Sequence, residues 1–123
     1  MSISITKSKN DRRDQWLAAL AHPTRRRIVE ILGQGPKPAS ELHNSFGIAG
    51  PAVSRHLRVL REVGLISEHR VAEDKRVRLY TLEPQPLDEL SHWLEELSHA
   101  WQLQLDSFKD YVALRTREPR GPR

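Results

Sequence analysis

The sequence predicts a mainly α fold with a small β hairpin, in the order helix, helix, helix, helix, strand, strand, long helix. Three observations predict it. Residues 50–64, GPAVSRHLRVLREVG, form an amphipathic stretch in which Val53, Leu57 and Leu60 recur at helical spacing, with Pro51 in the first turn and Gly64 as a stop. Two short runs rich in Val, Ile, Leu and Tyr follow at 65–70 and 76–82, joined by the polar loop 72–75. From 87 to 115, Leu90, Leu94, Leu97, Trp101, Leu105, Phe108 and Val112 recur about once per helical turn.

Residues 1–10 are polar and unpatterned and are expected to form a disordered arm. The single folded domain is expected over 11–115. Its first helix covers 11–21, with Trp16, Leu17 and Leu20 on one side and Asp11 or Asp14 suited to its positive end. His22-Pro23-Thr24 punctuates, and a second helix runs to 32 with Ile28, Ile31 and Leu32 inward. Arg25, Arg26 and Arg27 crowd the start of that helix against its macrodipole. A phosphate contact and a pairing with the acidic last helix both stay open for them. Residues 33–38, GQGPKP, read as a rigid connector. A third helix is expected over 40–46 with Leu42 and Phe46 buried, Gly47 ending it and Ile48 tucked beneath.

The helix at 50–64 completes a helix-turn-helix. Opposite its apolar stripe lie Ser54, Arg55, Arg58 and Arg61, and its acid, Glu62, comes only at the far end. Three guanidinium groups on one face present forked donors suited to an anion-rich groove. The hairpin carries Lys75, Arg76 and Arg78 and is the expected wing, although its tip lacks the glycine usual there. Glu83-Pro84-Gln85-Pro86 is expected to break the chain before the last helix, 87–115, and 116–123 to form a disordered tail. That helix is longer and more evenly striped than one small domain needs, so it is expected to form a dimer interface with the first helix. The residues concerned are Trp16, Leu20, Leu90, Leu94, Leu97, Trp101, Leu105 and Phe108.

With 123 residues, 37% of them hydrophobic, there is room for one modest core. The chain has no cysteine, which removes disulfides, thiol catalysis and thiolate metal sites and fits a reducing cytoplasm. No signal-peptide core or membrane span is evident, so a soluble, cytoplasmic protein is expected. Charge divides unevenly. Residues 1–82 hold 15 Lys and Arg against 8 Asp and Glu, whereas 83–123 hold 5 against 8. The basic portion contains the amphipathic helix at 50–64, which points to a polyanionic partner.

The segment PAVSRHLRVLREVGLI resembles the recognition-helix signature of the ArsR-type winged helix-turn-helix repressors, and LAHPTRRRIVEIL resembles their second helix. The resemblance spans about residues 14–105. It implies a homodimeric bacterial transcription factor that binds double-stranded DNA, and it places Ser54, Arg55 and His56 toward the major groove. Ala52, Ser54, Arg55, His56, Arg58 and Arg61 are accordingly the candidate reading residues, with the wing cations as phosphate or minor-groove contacts. Two departures stand out. The family often has Ser-Gln where this chain has Ala49-Gly50, so a capping hydroxyl and a polar reader are missing. The family's cysteine-bearing metal element is Pro38-Ala39-Ser40 here, so that site cannot form.

No cofactor is expected. Asp88, His92, Glu96 and His99 align along the last helix as the one candidate metal set, but on the side opposite the apolar line, where a solvated face is the simpler account. A phosphate-cradling glycine loop, a cysteine nucleophile and a His-Glu-x-x-His pattern are all absent, so an enzyme is not expected. The favoured function is a dimeric repressor on a near-palindromic operator. A metal-responsive repressor using the last helix and a helix-mediated interaction module without DNA binding are the alternatives. No effector is legible.

Overall fold

The computed structural model describes residues 9–73 and 76–117. Residues 1–8 of the expected arm, Lys75 of the expected wing and residues 118–123 of the expected tail lie outside the described residues. The elements are α1 (Lys9–Leu20), α2 (Pro23–Leu32), β1 (Lys37–Pro38), α3 (Ala39–Asn44), α4 (Gly50–Glu62), β2 (Ile66–Arg70), β3 (Arg78–Leu82) and α5 (Pro84–Arg117). This is the mainly α winged helix-turn-helix order, with one strand more than the sequence suggested. Residues 9–10 and 116–117, expected in the arm and the tail, are helical.

A two-residue turn, Ala21-His22, joins α1 to α2. His22 N-caps α2 through its ring: Nδ1 accepts the backbone N–H of Thr24 at 3.1 Å, and Pro23 occupies the first turn, where no N–H is needed. The arginines that crowd this start reach backwards. Arg25 Nε donates to the Ala19 carbonyl at 2.6 Å, and Arg26 Nη1 donates to the Leu20 carbonyl at 2.9 Å. They thus satisfy orphan carbonyls and place positive charge at the negative end of α1, which outweighs their unfavourable position on α2. Arg27 pairs with Glu30 at 3.2 Å. Neither use left open by the sequence is needed to explain the three arginines.

Lys37–Pro38, expected as a connector, is a short edge strand. It pairs antiparallel with β3, Lys37 opposite Tyr80 and Pro38 opposite Leu79, giving the sheet order β1-β3-β2. An edge tolerates a residue that cannot donate to a further neighbour. The third helix ends two residues early, at Asn44, where the Ser45 hydroxyl bonds the Glu41 carbonyl at 2.8 Å. In consequence Leu42 is buried as expected, Phe46 is half-buried, and Ile48 is exposed rather than tucked away.

Ala49 is the N-cap of α4 and offers no side-chain bond, in keeping with the missing hydroxyl. The other end is closed firmly. Gly64 adopts φ +85°, its N–H bonds the Arg61 carbonyl at 3.1 Å, and the Leu65 N–H bonds the Leu60 carbonyl at 3.0 Å. This is a Schellman closure, with buried Leu60 and Leu65 as its apolar pair. Strand β2 then leaves directly and pairs with β3 from Ile66 opposite Leu82 to Arg70 opposite Arg78. The expected break at 84–86 is instead the first turn of α5, a position where proline lacks nothing it needs.

The described chain divides into two compact units at Asp88 and Glu89. The first holds the core: Ile28, Leu42, Val53, Leu60, Leu65 and Ile66 are fully buried. In the second, α5 is one continuous helix. Among the described residues, no helix is long and apolar enough to cross a membrane.

Candidate nucleic-acid interface

Helix α4 divides cleanly. Val53, Leu57 and Leu60 are buried, and Ser54, Arg55, Arg58 and Arg61 are exposed. The apolar stripe fixes which way the arginines face, because residues two positions off it at 100° each come out on the far side. Neither Arg55 nor Arg58 forms an ion pair or a side-chain hydrogen bond with another described residue, so their donors are available to an external acceptor. Ala52, at the flank, is half-buried.

His56, expected among the readers, departs from them. Its ring is half-buried beside α2, with its centroid 4.3 Å from that of His22. Its Nδ1 lies 3.2 Å from Arg25 Nη1. A guanidinium only donates, so Nδ1 must carry a lone pair and the proton must sit on Nε2. Burial lowers the His56 pKa, and the electrostatic influence of His22 and of the Arg25 and Arg55 guanidinium groups lowers it further, so the neutral form is favoured. His56 therefore braces α4 on α2 through Nδ1.

Arg61 also differs from its neighbours. It leaves the last turn of α4 and pairs with Glu68 of β2 at 3.3 Å. Arg78, expected as a wing contact, reaches the same carboxylate from β3 at 3.6 Å. Tyr80 Oη donates to Glu68 at 3.0 Å, and Tyr80 faces Glu68 across the ladder. Burial, reinforced by this carboxylate, raises the Tyr80 pKa. Glu68 shares the inward face of β2 with buried Ile66, which is why its side chain is only 20% exposed. Arg76 is exposed at the start of the wing. Together with Arg78 it lines a cleft of about 320 Å³ against Pro38, Ala39 and Ser40.

The residues expected at a dimer seam separate into two groups. Trp16 belongs to the core of its own protomer: it is 5% exposed, and its indole N–H donates to the Val63 carbonyl at 2.7 Å. Leu90 is likewise buried, and Leu20 is half-buried. A side chain already covered in one protomer, as Trp16 is, has little surface left to offer another. Leu94, Leu97, Trp101, Leu105 and Phe108 remain exposed along α5, as do Leu103, Tyr111, Val112 and Leu114.

The metal set does not assemble. His92 and Glu96 meet at 3.4 Å as an ordinary i,i+4 pair, and no group of three or more metal-ligating side chains comes together among the described residues. Pro38, Ala39 and Ser40 supply no soft ligand at the start of α3.

Known proteins resemble this chain in sequence and in fold. Residues 20–69, from the end of α1 into β2, match a family model described as a helix-turn-helix domain. The transcriptional repressor SdpR of Bacillus subtilis is 32% identical over 76 residues, 62% of this chain and 81% of that protein. The HTH-type transcriptional regulator Rv2034 of Mycobacterium tuberculosis is 36% identical over 99 residues, 80% of this chain and 87% of that protein. A crystal structure of an ArsR family transcriptional regulator superposes with a TM-score of 0.68 at 32% identity, over 77% of this chain and 95% of that one.

Proposed function

Since the chain belongs to the ArsR family of winged helix-turn-helix transcriptional regulators, we propose that it represses transcription as a homodimer seated on a near-palindromic operator. It is a DNA-binding regulator and not an enzyme. The observation that carries the proposal is the division of α4, with its apolar stripe buried and Ser54, Arg55 and Arg58 outward. An exposed arginine without a partner among the described residues meets the geometric demand of guanine O6 and N7, or of a phosphate.

The dimer is supported by the exposed line Leu94, Leu97, Trp101, Leu105 and Phe108, which one chain alone leaves facing water and which stable monomers rarely expose. Two copies of α4 spaced about 34–36 Å apart would enter successive major grooves on one face of the duplex. The alternatives gain nothing specific. The candidate metal residues do not gather, and an interaction module without DNA binding leaves Arg55 and Arg58 unexplained.

Replacing Arg55 by alanine tests the proposal. Loss of a bidentate base contact should weaken operator binding by about 1–3 kcal/mol. Binding to random duplex should weaken less. Equal losses on both would reassign Arg55 to phosphate, and an unchanged affinity on both would remove it from the interface.

A further inference from the structure

An acidic residue lies at the centre of the basic wing. Glu68 accepts from Tyr80 and pairs with Arg61 of α4 and Arg78 of β3, so one carboxylate joins the last turn of the recognition helix to both strands of the wing. Its position is over-determined. Period-two alternation puts it on the side of β2 that carries Ile66, the Schellman turn at Gly64 returns the chain beside Arg61, and the register sets Tyr80 directly opposite. Arg78 lies two residues along β3 from Tyr80, within diagonal reach of Glu68.

We propose that Glu68 is a positioning residue for DNA recognition: its carboxylate holds Arg61 and Arg78 to the protein, fixes the wing against α4 and keeps two cations from indiscriminate phosphate contact. This rests on the reading that α4 and the wing engage DNA. The physical consequence concerns selectivity. Guanidinium groups on free side chains strengthen binding to any duplex alike, because phosphates carry no sequence. Cations tied to a half-buried carboxylate leave discrimination to Arg55 and Arg58.

The test is a salt titration of the full chain on operator and on random duplex, with wild type, Glu68→Gln and the triple variant Glu68→Gln, Arg61→Gln, Arg78→Gln. Glutamine preserves the volume and an acceptor for Tyr80, and circular dichroism checks that each variant is folded. With Glu68→Gln, binding to random duplex should tighten and its salt slope steepen by about 0.9 for each newly made phosphate contact. One such contact means that affinity falls about 3.5-fold more than in wild type between 50 and 200 mM salt. The ratio of operator to random affinity should fall. The triple variant should return the slope to the wild-type value, because the added contacts come from the two released arginines. An unchanged slope in folded Glu68→Gln overturns the proposal. So does a triple variant that keeps the steeper slope, since the added phosphate contacts would then come from cations other than the two released arginines. Wild-type binding that ignores salt would instead defeat the DNA-binding geometry itself, and the proposal with it.

Discussion

Gly64 closes the recognition helix in a conformation that an L side chain resists, and its replacement gives a direct measure of that closure. At φ +85° an added Cβ meets no heavy atom within 4 Å, so Gly64→Ala introduces no clash. What remains is the left-handed backbone, which costs an L-residue roughly 1–2 kcal/mol. The smaller conformational freedom of alanine in the unfolded chain offsets part of this, by about 0.4–1 kcal/mol. A net loss of about 1 kcal/mol follows. With a urea m-value of about 1–2 kcal/mol/M, the midpoint should move down by about 0.5–1 M. Gly64→Asn should lose less, because asparagine enters the left-handed region more readily than alanine. Urea unfolding followed by far-ultraviolet circular dichroism measures all three proteins. An alanine variant with the wild-type midpoint would refute the reasoning, as would an asparagine variant that loses as much as alanine.

Trp16→Phe keeps most of the buried ring but leaves the Val63 carbonyl without its 2.7 Å donor. Stability should drop by about 1–3 kcal/mol in urea with no change in oligomeric state; a shift in assembly would place Trp16 in the seam. His56 sets a pH dependence. Its folded pKa lies below the ordinary 6.5, so the unfolded chain binds the proton more readily. Its contribution to stability is present above pH 6.5 and is lost as pH falls through the lowered value, where Nδ1 must accept a proton and lose Arg25. A proton NMR titration showing His56 at or above the ordinary value would contradict this. Trp101 is 61% exposed in one chain, so Trp101→Asp should fold normally yet split a dimer built on the α5 line, at several kcal/mol for a carboxylate in the seam. Sedimentation of the wild type as a monomer at micromolar concentration, with tight operator binding, would count against that dimer.

Helix α4 could be located in the sequence because its signals are local: an apolar stripe, a proline in the first turn and a glycine beyond the last. The same periodicity held the clue to His56. Val53, His56, Leu57 and Leu60 stand at i, i+3, i+4 and i+7, so His56 lies on the buried side with its apolar neighbours, although the motif resemblance grouped it with the readers. Other features depend on partners far along the chain. Nothing near Trp16 announces an acceptor 47 residues away, and nothing near Glu68 announces Arg61 and Arg78 converging on it. The back-capping of α1 by Arg25 and Arg26 needed the angle of the turn at His22, which composition does not encode. Strand β1 is two residues long and contains a proline, so it has no period to detect.

The indole bond between Trp16 and Val63 has a consequence for the order in which the molecule is made. During synthesis α1 leaves the ribosome before α4, yet the carbonyl that receives its tryptophan belongs to Val63, the residue that caps α4. Until that residue has emerged, α1 has no acceptor for the indole and Trp16 has no core to enter. Helix α1 is therefore among the last elements to settle, and closing so long a loop should slow its docking relative to the local pairing of β2 with β3. Pulsed hydrogen exchange during refolding would register this as late protection of the Trp16 indole proton, after the amides of the hairpin are already protected.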